Sequence, residues 1–226
     1  MKSHGLIILA LLVAAISLPG CSDNPPQILE SEWRMTLLYN RVLGTGYQKL
    51  SVFVRADDKD GTEDLAAIHV VNDEAELYWT IPQESWESAQ QRGNNWVGSN
   101  SIVMQDNTPF PVGSYRVLLT DKSGKSVETS FYLKRQNTET NSARLPSVNA
   151  GDGKISISGD IQSPELWIYD TNDQFLFSIQ ASQLSVEVQS ITGKNKDLES
   201  GFSYYISGKD RDGYYHLTVG PYYYSP

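Results

Sequence analysis

Short runs of apolar residues, separated by turn-forming residues, recur along most of this chain and constrain its fold more than any other feature. Residues 49–56 alternate between apolar and polar side chains, and residues 114–121 repeat the pattern. An alternation with a period of two residues is typical of a strand with one buried face, whereas a helix needs a period of 3.6. The pattern therefore predicts an all-β protein.

The predicted strands fall into two groups, separated by a polar stretch that contains residues 136–142. Residues 83–92 follow Pro82 and lack β-branched side chains, so they predict one short helix within the first group. Seven strands at this spacing are typical of an immunoglobulin-like sandwich. The sequence thus predicts two tandem small β-sandwich domains, with an Ig-like sandwich at 31–135, a linker at 136–153 and a second small β domain at 154–226. The predicted strands are 33–43, 49–56, 66–72, 76–80, 96–104, 114–121 and 127–134, then 154–159, 165–170, 175–180, 185–190, 202–209 and 214–221.

The N-terminus carries Lys2 followed by an apolar stretch at 6–18, broken only by Ser17. As a helix, this stretch would span about 20 Å, which is shorter than the roughly 30 Å hydrocarbon core of a bilayer. We therefore expect residues 1–20 to be a cleaved signal peptide and not a transmembrane helix.

The apolar stretch is closed by Leu18-Pro19-Gly20-Cys21, which contains the only cysteine of the chain. This tetrapeptide resembles the lipobox of bacterial lipoproteins. The resemblance implies cleavage between Gly20 and Cys21, acyl chains such as palmitate on Cys21, and a flexible tether at 21–30. Ser22 directly after the cysteine favours the outer over the inner membrane, as in enterobacterial lipoproteins. The alternative is an ordinary secretory signal with a chance cysteine.

Two further resemblances lie within the first predicted domain. The segment Pro111-Val112-Gly113-Ser114-Tyr115 resembles the corner of immunoglobulin and fibronectin type III sandwiches, in which a tyrosine bonds back to the backbone. Residues 95–100 and 109–116 together are similar to uncharacterised spirochaete β-sandwich lipoproteins, a resemblance that implies no established activity.

The composition argues against several functional classes. A net charge of −9 disfavours nucleic-acid binding, which needs a basic surface to neutralise phosphates. Beyond the predicted signal peptide the chain has only His69 and His216, and it has no Gly-x-Ser-x-Gly motif or zinc-ligand pair. We expect no cofactor, and a hydrolytic or carbohydrate-active enzyme remains a minor alternative.

The segment 57–64 is rich in acidic residues and offers Asp58, Asp60 and Asp64 as candidate calcium ligands, although no metal site is predicted. An EF-hand is excluded, because aligning Gly61 with the invariant glycine places alanines at the first and twelfth positions. The alternatives are a looser calcium site or a solvated turn that joins two strands.

Aromatic residues are the most informative remaining signal for binding. Trp86 lies on the predicted helix, where it either caps the core or projects outward, and Trp96 follows that helix. Tyr215 and Tyr223 belong to a tyrosine-rich segment at 204–224, and adjacent tyrosines in a strand point to opposite faces. These four residues form the candidate binding surface of a lipid-anchored envelope protein that binds or scaffolds another protein. A carbohydrate-binding module that uses the same rings is the alternative.

Overall fold

The computed structural model describes residues 24–59, 61–91, 94–134 and 145–226. Residues 1–23, with the expected cleavage between Gly20 and Cys21, lie outside the described residues, as do Asp60 and much of the expected linker. Within the described ranges, no helix is long and apolar enough to cross a membrane.

The first half of the chain forms strands separated by short turns, in agreement with the period-two pattern. A 3-10 turn at Thr62–Asp64 precedes β3, and another at Gln83–Ser85 precedes β5. The strands are β1 (Gln27–Asn40), β2 (Thr45–Asp57), β3 (Leu65–Asn72), β4 (Leu77–Pro82), β5 (Glu87–Gln91), β6 (Asn94–Val103), β7 (Gly113–Asp121) and β8 (Ser126–Leu133).

The second half is also built of strands and contains one short helix, α1 (Val188–Thr192), followed by a 3-10 turn at Lys196–Ser200. Val188 and Ile191 of α1 are buried, so the helix closes one side of the core. The strands are β9 (Ser147–Gly151), β10 (Lys154–Ser158), β11 (Ile161–Tyr169), β12 (Phe175–Gln180), β13 (Ser185–Glu187), β14 (Phe202–Asp210) and β15 (Tyr215–Tyr224).

One sheet runs through both halves of the molecule. Its eight strands follow the order β12-β11-β14-β15-β1-β2-β6-β5. The halves meet where β15 pairs in parallel with β1, from Met35 opposite Tyr215 to Asn40 opposite Gly220. A four-stranded sheet, β4-β3-β7-β8, and a three-stranded sheet, β13-β10-β9, complete the architecture.

The two smaller sheets pack on the same face of the eight-stranded sheet, so that two sandwiches stand side by side. The first core joins Leu50 of β2 to Ile68 of β3, both fully buried. The second core joins Ile206 of β14 to Ile155 of β10, again fully buried. The two cores leave the other face of the large sheet without a covering sheet in the described structure.

The tyrosine corner expected from the sequence is present at the start of β7. Tyr115 is fully buried, and its hydroxyl donates a hydrogen bond of 2.9 Å to the carbonyl oxygen of Pro111. Gly113 has a φ of 143°, in the region that favours glycine, and it lets the chain turn into the strand. An all-β fold with sandwich packing and an Ig-like corner is therefore established.

Four segments differ from their sequence-based expectation. The strand expected at 185–190 ends at Glu187, and the helix α1 begins at the next residue. The helix expected at 83–92 is only the 3-10 turn Gln83–Ser85, because the following residues pair with β6 as the edge strand β5. Strand β1 begins at Gln27, inside the segment expected as a tether, and the pairing of its start with β2 is reinforced by a Glu30–Arg55 ion pair of 2.6 Å. Strand β9 occupies part of the segment expected as a linker, because it pairs with β10.

Candidate functional site

The two tryptophans expected to mark a binding surface are not available as exposed contact residues. Trp96 is only 4% exposed. Trp86 is half-buried against the first core, and its indole N–H donates a hydrogen bond of 2.9 Å to the Ile81 carbonyl oxygen. Trp86 therefore caps the sandwich, which is one of the two alternatives that the sequence leaves open.

The two candidate tyrosines lie in different environments, although both belong to β15. Tyr215 is buried in the first core, where its hydroxyl accepts a hydrogen bond of 3.2 Å from Gln48 Nε2. Burial raises the pKa of Tyr215 above its usual value. Tyr223 is 66% exposed, more than any of the other three candidates.

The structure places Tyr223 on the uncovered side of the eight-stranded sheet, which we call the open face. Residues paired directly across neighbouring strands share a face, and Tyr223 is paired with Ser203. Ser203 is paired in turn with Tyr169. Tyr204 and Tyr222 alternate with these residues and point into the second core.

Five aromatic residues lie near one another on the open face, at the end of the sheet where β1 stops, and we call them the open-face cluster. Tyr205 lies at the centre of the cluster, and its ring packs directly over Gly220. A Cβ atom added at Gly220 would lie only 2.6 Å from Tyr205 Cδ1. Three members are exposed by 39% to 66%, namely Tyr47, Phe175 and Tyr223. The cluster comprises Tyr47, Tyr169, Phe175, Tyr205 and Tyr223.

Three rings of the cluster, those of Tyr169, Tyr205 and Phe175, are joined by edge-to-face contacts. Tyr169 and Tyr205 have centroids 5.3 Å apart with planes at 60°. Tyr169 and Phe175 have centroids 5.5 Å apart with planes at 69°. Burial, followed by the nearby Tyr169 and Asp173, raises the pKa of Tyr205, so this phenol stays neutral at physiological pH.

Sequence reasoning found Tyr223 but missed the other four members of the cluster. Tyr205 has a signal, because it alternates with the buried Tyr204 and Ile206. Tyr47 and Phe175 carry no such signal. The nearness of Tyr47 to Tyr205 depends on the long-range pairing of β1 with β15, and that of Phe175 depends on the pairing of β11 with β12 and β14.

The arrangement most like a catalytic dyad is His216 with Ser207, also on the open face. Ser207 Oγ lies 2.8 Å from His216 Nε2 and 3.4 Å from Thr218 Oγ1. Ser207 is 0% exposed, so a substrate carbonyl cannot reach its hydroxyl in this conformation. Burial, together with nearby Arg34 and Lys209, lowers the pKa of His216.

His69 lies on the outer side of the four-stranded sheet, away from the open face. Its Nδ1 is 2.5 Å from the hydroxyl of Tyr78 and 3.3 Å from Thr80 Oγ1. Partial burial lowers the pKa of His69. The histidine thus joins neighbouring strands, which agrees with its interpretation as a strand residue.

The acidic segment that offers the candidate calcium ligands packs against the turn that follows β7. The backbone N–H of Lys122 donates a hydrogen bond of 2.8 Å to the carbonyl oxygen of Asp64. Asp58 is 7% exposed, whereas Asp60 lies outside the described residues. Within the described part of the chain, no three His, Cys, Asp or Glu side chains are grouped so as to hold a metal ion.

No protein-family model and no curated protein matches this chain. Solved structures do match. The N-terminal Ig1-2 module of the Drosophila receptor protein tyrosine phosphatase DLAR is 13% identical with a TM-score of 0.35, over 87% of this chain and 100% of that one. Dimeric latent PorU from Porphyromonas gingivalis is 12% identical with a TM-score of 0.32, over 89% of this chain and 21% of that one. The chain thus spans about a fifth of the PorU chain.

Proposed function

We propose that this protein is a lipid-anchored protein of the bacterial envelope that binds another protein through its open face. The observation that carries this proposal is the open-face cluster. Tyrosine and phenylalanine supply large contact areas with few rotatable bonds, and they are enriched at protein interfaces. Here they are grouped on a sheet face that no other part of the described structure covers.

The geometry of the rings favours a protein over a carbohydrate partner. A sugar ring stacks best on a flat aromatic platform, whereas the contacts of Tyr169 with Tyr205 and Phe175 are at 60° and 69°. In addition, Trp96, on which a carbohydrate-binding reading depends, is buried. An uneven, amphipathic surface of this kind suits irregular polypeptide side chains.

The proposed anchor would place the cluster far from the membrane. Strand β1 begins at Gln27, six positions after Cys21, and its 14 residues run toward the cluster. At about 3.3 Å per residue, β1 is roughly 45 Å long. Because β15 is parallel to β1, Tyr223 lies at the same distal end. A protein partner would thus be met on the side facing away from the lipid.

Site-specific photo-crosslinking in the native host tests this proposal. A photoreactive phenylalanine analogue replaces Phe175 or Tyr223 on the open face, or Tyr132 or Tyr78 on the outer side of the four-stranded sheet. The four residues have similar exposure, between 52% and 66%. We expect a discrete protein adduct from the first pair and none from the second. Adducts of equal yield from all four positions, or from none, would overturn the proposal.

A further inference from the structure

Basic side chains form a row across the open face, next to the open-face cluster. Lys49 of β2 pairs with Thr36 of β1, Thr36 pairs with His216 of β15, and His216 pairs with Lys209 of β14. Directly paired residues share a face, so Lys49, His216 and Lys209 lie in one line across four adjacent strands. With strands about 4.8 Å apart, the line from Lys49 to Lys209 spans roughly 14 Å.

Arg34 belongs to the same group, which we call the basic row: Arg34, Lys49 and Lys209. Its position two residues before Thr36 puts Arg34 on the open face, where its charge helps to lower the pKa of neighbouring His216. Arg34 and Lys209 are exposed, and Lys49 is half-buried.

The cations of the basic row have no anionic partner in the described part of the molecule. Ion pairs within 4.0 Å engage other basic residues, including Arg55 and Arg116, but none involves the basic row. Glu165, the acid that influences His216 most directly, accepts a hydrogen bond of 2.6 Å from the indole of Trp167. The basic row therefore presents three positive charges on one face of a chain whose net charge is −9.

The basic row and the open-face cluster form one continuous surface. Tyr47 lies two residues before Lys49 on β2, and Tyr205 lies two residues before the buried Ser207, the nearest polar neighbour of His216. Side chains two residues apart in a strand share a face and are about 6.8 Å apart. An extended ligand can therefore contact the aromatic rings and the cations together.

We propose that the open face recognises an acidic polypeptide segment, with carboxylates on the basic row and an apolar side chain on the open-face cluster. This inference rests on the proposed function and specifies the chemistry of the partner. An extended segment with acidic residues at alternate positions presents carboxylates about 6.8 Å apart, so three of them cover the roughly 14 Å row. Charge complementarity of this kind governs encounter rate and specificity.

The test measures the binding of two fluorescent peptides by fluorescence anisotropy. The Glu-Leu peptide carries Glu at three alternate positions and Leu two positions before and after them, with Ser between, so that Glu and Leu share one face when the peptide is extended. The Lys-Leu peptide has Lys in place of each Glu. We expect the Glu-Leu peptide to bind and the Lys-Leu peptide not to bind. Binding should weaken about tenfold or more between low and high salt, since exposed charges are screened beyond a Debye length. The double variant Arg34→Glu/Lys209→Glu should weaken binding at least about tenfold.

The matched control is the double variant Lys59→Glu/Lys196→Glu, which makes the same change in net charge at exposed positions away from the basic row. We expect it to alter affinity less than about twofold, because its charges lie outside the proposed contact. Equal losses in both double variants, or no binding of the Glu-Leu peptide, would overturn the inference. Binding of heparin in place of the peptide, with the same dependence on Arg34 and Lys209, would also overturn it in favour of an anionic glycan.

Failure of this inference can be told apart from failure of the proposed function. Photo-adducts at Phe175 and Tyr223, together with peptide binding that does not depend on charge, would support the open face as the binding surface but contradict the acidic partner. The absence of both the photo-adducts and peptide binding would contradict both proposals.

Discussion

At the scale of single residues, Tyr115 shows how one side chain fixes the entry to a strand. Its ring stacks on Phe131 with centroids 5.4 Å apart, while its hydroxyl holds the carbonyl oxygen of Pro111. Burial raises the pKa of Tyr115 to about 12, so the phenol remains a hydrogen-bond donor at physiological pH.

Substitution of Tyr115 by Phe should therefore lower the free energy of unfolding by about 1 to 2 kcal/mol, because the Pro111 carbonyl loses its donor while the ring packing is kept. Urea titration followed by circular dichroism measures this change. The control is Tyr132→Phe, at a ring that is 56% exposed, and its effect should stay within about 0.5 kcal/mol. A loss no larger for Tyr115→Phe than for the control would contradict the role of the corner.

His216 makes stability depend on pH, because its pKa is lowered in the folded protein. The unfolded chain takes up this proton near pH 6.5, whereas the folded protein takes it up only at lower pH. The unfolded state therefore binds more protons as the pH falls below about 6.5, and the free energy of unfolding decreases there.

The variant His216→Gln should weaken this acid sensitivity. Free energies of unfolding at about pH 7.5 and pH 5.5 should differ less in the variant than in the unmodified protein. His69→Gln serves as the comparison, because His69 is less buried than His216 and should account for a smaller share of the acid sensitivity. An unchanged difference between the two pH values in His216→Gln would show that His216 is not responsible.

At the scale of secondary-structure elements, β15 has the largest consequence because it contributes to both cores. Its residues Tyr215 and Leu217 pack in the first core, whereas Val219 and Tyr222 pack in the second. The strand also pairs with β1 on one side and with β14 on the other. Unfolding of either sandwich would thus expose part of the other.

We therefore expect the two sandwiches to unfold in one cooperative transition. Ile68→Ala in the first core and Ile168→Ala in the second remove fully buried side chains, and each should destabilise the whole protein by about 2 to 5 kcal/mol. Tryptophan fluorescence and circular dichroism should give coincident urea transitions in both variants. Two separate transitions, with each substitution moving only one of them, would contradict coupling through β15.

The sequence pattern predicts most of the strands correctly, but the helix predicted at 83–92 does not form. Alternating segments such as β7 carry their own signal, since every second residue from Gly113 is buried. Residues 87–91 have low strand propensity, and they form β5 only because the edge of β6 is available for pairing. The local sequence does not indicate which strand will lie beside a segment in the tertiary fold.

At the scale of the whole molecule, the decisive property is that both covering sheets pack on one face of the eight-stranded sheet. The alternation within a strand predicts which residues share a face, but not which face is covered. That choice depends on the pairing of Met35 with Tyr215, 180 positions later in the chain. For this reason the sequence favours Tyr215 and Tyr223 equally as binding residues, although only Tyr223 is exposed.

The most direct test of the open face as a binding surface is tyrosine nitration, compared between purified protein and native membranes by mass spectrometry. Tyr47 and Tyr223 on the open face, and Tyr78 and Tyr132 on the outer side of the four-stranded sheet, are all exposed. All four should be nitrated in purified protein. In membranes, Tyr47 and Tyr223 should be protected by a bound partner while Tyr78 and Tyr132 remain reactive. Equal reactivity of the two pairs in membranes, or protection of Tyr78 and Tyr132 alone, would contradict the open face as the binding surface.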